Sequence, residues 1–152
     1  MKPGLMFGHW KQVRRDLFWT VDQFDDTELS HVPFESSRPV GQIILHIASA
    51  EEGWFQYVVR GELSGWPEFG LEKYSDLESI KKLLNRVHEG TEEFLDGVET
   101  PDLERAVDLP WSGNTNTASL GWIIWHVLEH EIHHRGELSL ILGLLGREGL
   151  DV

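Results

Sequence analysis

The chain has 152 residues, which is enough for one domain to bury a continuous core. Acidic residues outnumber basic ones by 26 to 13, and the net charge of -13 argues against nucleic-acid binding and against an anionic membrane surface. With no cysteine, the chain has no disulfide, thiolate ligand or thiol nucleophile of its own. No apolar run reaches the roughly 18 residues that span a bilayer, and the first residues lack a signal-peptide core, so we expect a cytoplasmic protein.

Two segments in the first half of the chain have apolar residues at helical spacing. The first predicted helix covers about Met6 to Phe24. The second covers about residues 38 to 60, with Pro39 in its first turn and Gly61 as its stop. Both segments have polar residues between the apolar ones, as expected for helices with one face on a core.

Two more helices are predicted in the second half. The third starts near Ser75 and ends before Pro101, and the fourth covers about Leu120 to Leu145. In the loop between them we expect a short extended piece around residues 105 to 109. We therefore predict an all-α fold, a four-helix bundle that forms a single domain over residues 1–152.

Four of the eight histidines lie within nine residues, at His126, His130, His133 and His134. On a helix with about 100° per residue, His130 and His134 face the core, whereas His126 and His133 lie beside the apolar stripe. Residues four apart hold their Cβ atoms roughly 5 to 6 Å apart, so two such imidazoles can bind one ion. Buried without an ion, each would need its own hydrogen-bonding partner. The pair therefore predicts a metal site.

A third histidine is available on the second predicted helix. His46 lies at the edge of the apolar stripe, and Ala50 and Gly53 follow it one and two turns later, which leaves room above the imidazole. Trp54 belongs to the same stripe. A third neutral imidazole would leave coordination positions for water or substrate, as catalytic sites require. A lone core-facing histidine is more often a packing residue, so His46 is a candidate because of the pair on the fourth helix.

Two other metal chemistries compete with this interpretation. Residues 130–134 read HEIHH and match HExxH, in which Glu131 would be the general base of a zinc peptidase. Only eighteen residues follow His134, and position 137 is glutamate where the extended motif has glycine. A di-iron carboxylate site is also disfavoured, because the second helix has no ExxH pair. His9, His31 and His88 have no partner at ligand spacing.

The segments PVGQIILHIASAEEGWF and WHVLEHEIHHRGELSLILGLLG resemble the DinB-like and YfiT-like superfamily of small metal-binding bundles, and the resemblance extends over essentially the whole chain. It implies an up-down-down-up bundle, frequent homodimers, and zinc or nickel bound by three histidines that match His46, His130 and His134. Glu137 departs from the family pattern, because many members have glutamine after the Arg-Gly pair.

The resemblance also implies a type of reaction. Members catalyse thiol-dependent transfer or isomerisation with a low-molecular-weight thiol, and hydrolysis is proposed for others. We therefore predict a metal-dependent thiol transferase or hydrolase acting on a small molecule, with no catalytic residue assigned. The alternative is a non-catalytic metal-binding or stress-response module with a structural or sensory ion. The residues expected near the ion or in the pocket are His126, His133, Glu131, Glu137, Ala50, Gly53 and Trp54.

Overall fold

A computed structural model describes residues 7–113 and 116–152 of the chain. Its long helices are α1 (Trp10–Asp22), α2 (Val40–Glu52), α3 (Leu77–Asp96) and α4 (Leu120–Leu144). A π-helix, Gly53–Val59, continues α2 without a break. Short 3-10 turns occupy Asp26–Glu28, Thr100–Glu104 and Pro110–Ser112. Within the described ranges, no helix is both long enough and apolar enough to cross a membrane.

The four predicted helical segments each contain one α-helix, with differences at the ends. Met6, the predicted start of the first helix, lies outside the described residues, and α1 begins at Trp10. The predicted second helix, residues 38 to 60, corresponds to α2 together with the π-helix. α3 begins two residues later than predicted, because Asp76 caps it by accepting a hydrogen bond from the Ser79 backbone N–H.

A small hairpin adds to the predicted all-helical fold. β1 (Ala106–Asp108) confirms the extended piece expected around residues 105 to 109. It pairs antiparallel with β2 (Thr117–Ser119), with Val107 opposite Ala118. β2 was not predicted, because three residues reading TAS carry no apolar alternation. Ser119 ends β2 and also caps α4 by accepting a hydrogen bond from the Trp122 N–H, so the hairpin leads directly into α4.

The buried apolar residues form two separate clusters along the helices. α2 packs against α3 and α4, and α1 packs against α4. One cluster includes Leu17, Ile44 and Leu138, and the other includes Phe55 and Ile123. On every helix, a buried charged or polar residue lies in sequence between members of the two clusters. The core is therefore two apolar layers with a polar layer between them.

The polar layer is a network to which all four helices contribute. Arg14 Nη2 donates to Glu51 Oε2 at 2.6 Å and to Glu131 Oε2 at 2.9 Å. Trp10 Nε1 donates to the same Glu131 oxygen at 2.8 Å. His88 Nδ1 lies 2.7 Å from Glu51 Oε1. These contacts position α1, α2, α3 and α4 relative to one another, and we call the five side chains the Arg14 cluster.

Burial and charge act in opposite directions on these groups. Burial alone would lower the pKa of Arg14, but the Glu51 and Glu131 carboxylates raise it. Burial alone would raise the pKa of Glu51, but Arg14 and His88 lower it to about 2. For Glu131, burial raises the pKa, Arg14 offsets this only in part, and the charge of Glu51 adds to the rise. Arg14 and Glu51 are therefore the main ion pair of the layer.

Glu51→Gln should lower the free energy of unfolding at pH 7 by about 3 kcal/mol, because Arg14 would lose its main counter-charge in a buried position. The folded pKa of Glu51 is lowered, so its contribution is complete above the ordinary value of 4.5 and is lost as pH falls towards about 2. Urea denaturation at several pH values should show the difference from wild type shrinking across that range.

Glu78→Gln is the matched control, since Glu78 pairs with Lys82 at the surface. It should leave the free energy of unfolding unchanged. Equal and small effects of the two substitutions would contradict a stabilising role for the Arg14 cluster.

Candidate metal centre

Three histidines converge between α2 and α4. His46 comes from α2, and His130 and His134 come from α4. One ring nitrogen from each can be chosen so that all three lie within 4.8 Å of one another. Nε2 of His130 lies 3.1 Å from Nε2 of His46. The structure thus brings together the three residues that the sequence selects.

The spacing of the His46 and His130 nitrogens fits one bound ion. Two nitrogens bound to one zinc at about 2.0 to 2.1 Å are about 2.8 to 3.4 Å apart when the angle at the ion is between about 90° and 109°. The 3.1 Å separation of His46 and His130 lies inside that range. Three imidazoles are suitable ligands for zinc, nickel, copper or iron. The residues present therefore fit a divalent ion of this group.

The electrostatic environment keeps the three rings neutral. Burial, with a smaller effect of Arg38 and His134, lowers the pKa of His46 to about 4. Burial and the neighbouring histidines lower the pKa of His130 to about 3. Burial also lowers the pKa of His134, although Glu137 opposes this shift. Since only the unprotonated imidazole nitrogen binds a metal, all three are ready to do so at neutral pH.

Glu137 contacts the site directly. Its Oε2 lies 2.6 Å from Nδ1 of His134, one turn earlier on α4. His133 lies on the exposed side of the same turn, with its ring 4.9 Å from the ring of His134. His133, His134 and Glu137 also have ligand atoms within 4.8 Å of one another. The structure therefore places two of the expected pocket residues beside His134.

Glu131 lies elsewhere. Its side chain is 100° around α4 from His130 and reaches the Arg14 cluster, where Oε2 accepts hydrogen bonds from Trp10 and Arg14. Its other oxygen, Oε1, is buried and has no hydrogen-bond partner among the described residues. Glu131 was one of the expected pocket residues, and the structure places it among the residues that hold the helices together.

Aromatic rings border the three histidines on one side. Trp54, in the π-helix, makes edge-to-face contacts with four other rings at centroid distances of 5.3 to 5.9 Å: Trp66, Trp111, Trp122 and His126. We call these five rings the aromatic cluster. Three of them, Trp66, Trp111 and Trp122, are between 38% and 57% exposed. Large indoles left exposed together are typical of a binding surface.

The aromatic cluster reaches the histidines by way of His126. The His126 ring stacks on Trp122 at 4.7 Å with an interplanar angle of 6°, and lies 6.5 Å from the His130 ring. His126 is therefore a link between the indoles and the candidate metal centre. π-helices occur frequently at functional sites, and here one carries Trp54.

A cavity of about 590 Å³ opens beside His46. Ser49 and Trp66 line it together with His46, and Trp66 Nε1 donates to Ser49 Oγ at 3.1 Å. A Cβ at Gly53 would lie 2.5 Å from the Trp66 ring, so the expected small residue is needed for this packing. Ala50 is buried within α2 and does not line the cavity. The other lining residues are Gln42, Glu68, Phe69, Gly70 and Glu72.

Several residues of this region were not found from the sequence. Trp66 and Trp111 lie in connections between helices, where no periodic pattern shows which way a side chain points. The available signal was the excess of seven tryptophans in 152 residues. His88, set aside for lack of a partner at ligand spacing, lies in the Arg14 cluster.

The fold and the site define a helical protein with a three-histidine candidate metal centre between two of its helices. Residues 9–138 match the DinB superfamily, and the chain belongs to that family. No curated protein matches it.

Solved structures with the same fold include proteins from three bacteria. A DinB-like protein from Bacillus subtilis has a TM-score of 0.73 at 18% identity, with 95% of this chain and 94% of that one covered. A conserved protein from Enterococcus faecalis has a TM-score of 0.73 at 12% identity, with coverages of 97% and 99%. A DinB-like protein from Bacillus cereus has a TM-score of 0.71 at 16% identity, with coverages of 96% and 94%. At these sequence identities, the similarity shows a shared fold and does not show a shared function.

Proposed function

We propose that this chain is a divalent-metal-dependent transferase or hydrolase that acts on a small molecule, with His46, His130 and His134 as the metal ligands. The observation that carries the proposal is the convergence of three neutral imidazoles, two of them with nitrogens 3.1 Å apart. Membership of the DinB superfamily supports it, since metal binding is general in that family. Zinc or nickel is the ion that the family resemblance implies, and both accept imidazole ligands.

The chemistry follows from the charge of such an ion. A divalent ion held by three neutral imidazoles would keep its positive charge and open coordination positions, and would lower the pKa of a thiol or water placed there. Because the chain has no cysteine, a thiol must come from a second molecule. The chain's own contribution is the surroundings: the cavity at His46 would hold the substrate, and the aromatic cluster would pack against its apolar part.

Two alternatives are less well supported. A structural or sensory ion in a stress-response module would need no cavity, whereas one of about 590 Å³ opens at His46. The HExxH peptidase interpretation requires Glu131 as a general base close to the ion. Its carboxylate instead accepts hydrogen bonds from Trp10 and Arg14 in the buried layer. The same observation makes peptide hydrolysis the weakest candidate.

Exposed apolar side chains on the outer face of α4 are the evidence for a homodimer. Trp125, Leu140 and Leu144 lie on this face and are 54% to 65% exposed. Large apolar side chains exposed together on one helix are typical of a protein–protein contact. Gly136 lies on the same face with open space around it, so a second helix could approach closely. We propose a homodimer formed through this face, with the helices of each chain in up-down-down-up order.

The ligand assignment can be tested by metal analysis. Alanine in place of His46, His130 or His134 should each lower bound zinc to well below one equivalent, because two remaining imidazoles bind far more weakly than three. His31→Ala is the control, since His31 is exposed in the loop before α2. Zinc bound per chain is measured after gel filtration, with circular dichroism to show that each variant is folded. Full zinc retention in His46→Ala would refute the three-histidine site.

The thiol reaction makes a separate spectroscopic prediction. Cobalt-substituted protein titrated with millimolar free cysteine should develop a sulfur-to-metal charge-transfer band, because an open position can take an external thiolate. The chain itself contributes no such signal, since it has no cysteine. Serine, which has a hydroxyl in place of the thiol, is the control ligand. A spectrum that responds to phosphate or acetate but not to thiols would favour hydrolysis instead.

The dimer is tested by sedimentation velocity. The intact chain should sediment as two copies of 17.5 kDa each, and Leu140→Glu should sediment as one, because a charge buried in an apolar interface is strongly unfavourable. Val32→Glu is the control, since Val32 is an exposed apolar residue in a loop. A monomeric wild type, or a dimer that survives Leu140→Glu, would rule out this interface.

A further inference from the structure

We infer that Glu137 is a positioning residue for the metal centre: its carboxylate holds His134 in the tautomer that presents Nε2 as a ligand, and its charge partly offsets that of the ion. This inference rests on the proposed metal-binding function. It assigns a role to position 137, where this chain has glutamate and many members of the DinB-like superfamily have glutamine.

The hydrogen bond fixes the tautomer. Oε2 of Glu137 lies 2.6 Å from Nδ1 of His134, a short contact in which a carboxylate can only accept. Nδ1 therefore carries the proton, and Nε2 is left with a free lone pair. The His134 side chain is 9% exposed and that of Glu137 is 28% exposed, so water competes only weakly for this contact. Such outer hydrogen bonds orient metal-binding histidines and raise their basicity.

The charge of Glu137 has a second effect. Three neutral imidazoles offset none of the charge of a divalent ion. Arg38, in the segment before α2, adds positive charge that acts on both His46 and His134, and Glu137 acts on both in the opposite sense. The Glu137 carboxylate therefore favours a cation at a site where Arg38 disfavours one.

In one competing arrangement, Glu137 would itself be a metal ligand. His133, His134 and Glu137 have ligand atoms close enough to hold a separate ion. An ion there would take Glu137 as a direct ligand and would have to replace its 2.6 Å hydrogen bond to His134. His133 is exposed, whereas His130 and His46 are partly buried. The hydrogen-bonded arrangement therefore agrees better with the structure.

The test is zinc affinity measured by competition with a chelating dye. Glu137→Ala should weaken zinc binding about 10- to 100-fold, the usual effect of losing such a partner. Glu137→Gln should have a zinc affinity between those of wild type and Glu137→Ala, because the amide oxygen can still accept a hydrogen bond from His134 Nδ1 but carries no charge. Glu92→Gln is the matched control: it removes the same charge from an exposed position on α3, which carries none of the three histidines, and should leave the affinity unchanged.

The tautomer gives a readout that does not depend on metal. Nitrogen-15 NMR of the metal-free protein should show His134 protonated at Nδ1 in wild type and in a mixture of tautomers in Glu137→Ala. Equal zinc affinities of wild type and Glu137→Ala would overturn the inference. It would also be overturned if wild type bound two zinc ions and both Glu137→Ala and His133→Ala lost the second one. Wild type that binds no zinc would refute the proposed function, and the NMR result would still test the hydrogen bond.

Discussion

The burial of Arg14 between four helices is the constraint on which the rest of the structure depends. A guanidinium in this position must have carboxylate partners, and Glu51 on α2 and Glu131 on α4 supply them. Each helix therefore has a fixed position along its axis relative to α1. Apolar layers alone would tolerate small slips between helices, whereas hydrogen bonds of 2.6 to 2.9 Å do not.

The same constraint sets the geometry of the candidate metal centre. Glu131 directly follows His130, and Glu51 lies five residues after His46 on α2. Because neighbouring positions on a helix point about 100° apart, α4 can direct Glu131 to the buried layer and His130 to the cavity side. The ion pairs that fix α2 against α4 thus also fix the distance between His46 and His130. The polar layer and the histidine cluster are two consequences of one helix register.

The sequence predicts a residue of the site when the signal lies within one helix, and fails to do so when the residue's position depends on contacts between helices. The His130–His134 pair follows from a spacing of four within one helix, so the sequence predicts it before any fold is known. His46 lies 84 positions before His130, and only the packing of α2 on α4, or a family pattern, brings it to the pair. Trp66 and the pairing of Arg14 with two glutamates depend on tertiary contacts alone. Glu131 was expected near the ion or in the pocket, and its hydrogen bonds with Trp10 and Arg14 on α1, which no local pattern shows, direct it to the Arg14 cluster.

The most direct test of the central claim is anomalous diffraction from a crystal of the zinc-loaded protein. The proposed three-histidine site predicts one zinc peak between α2 and α4, within bonding distance of ring nitrogens from His46, His130 and His134. The Glu137 carboxylate should accept a hydrogen bond from His134 and should not coordinate the ion. A zinc peak on His133 and Glu137 that leaves His46 unbound would contradict it, as would a well-ordered crystal with no zinc between the two helices.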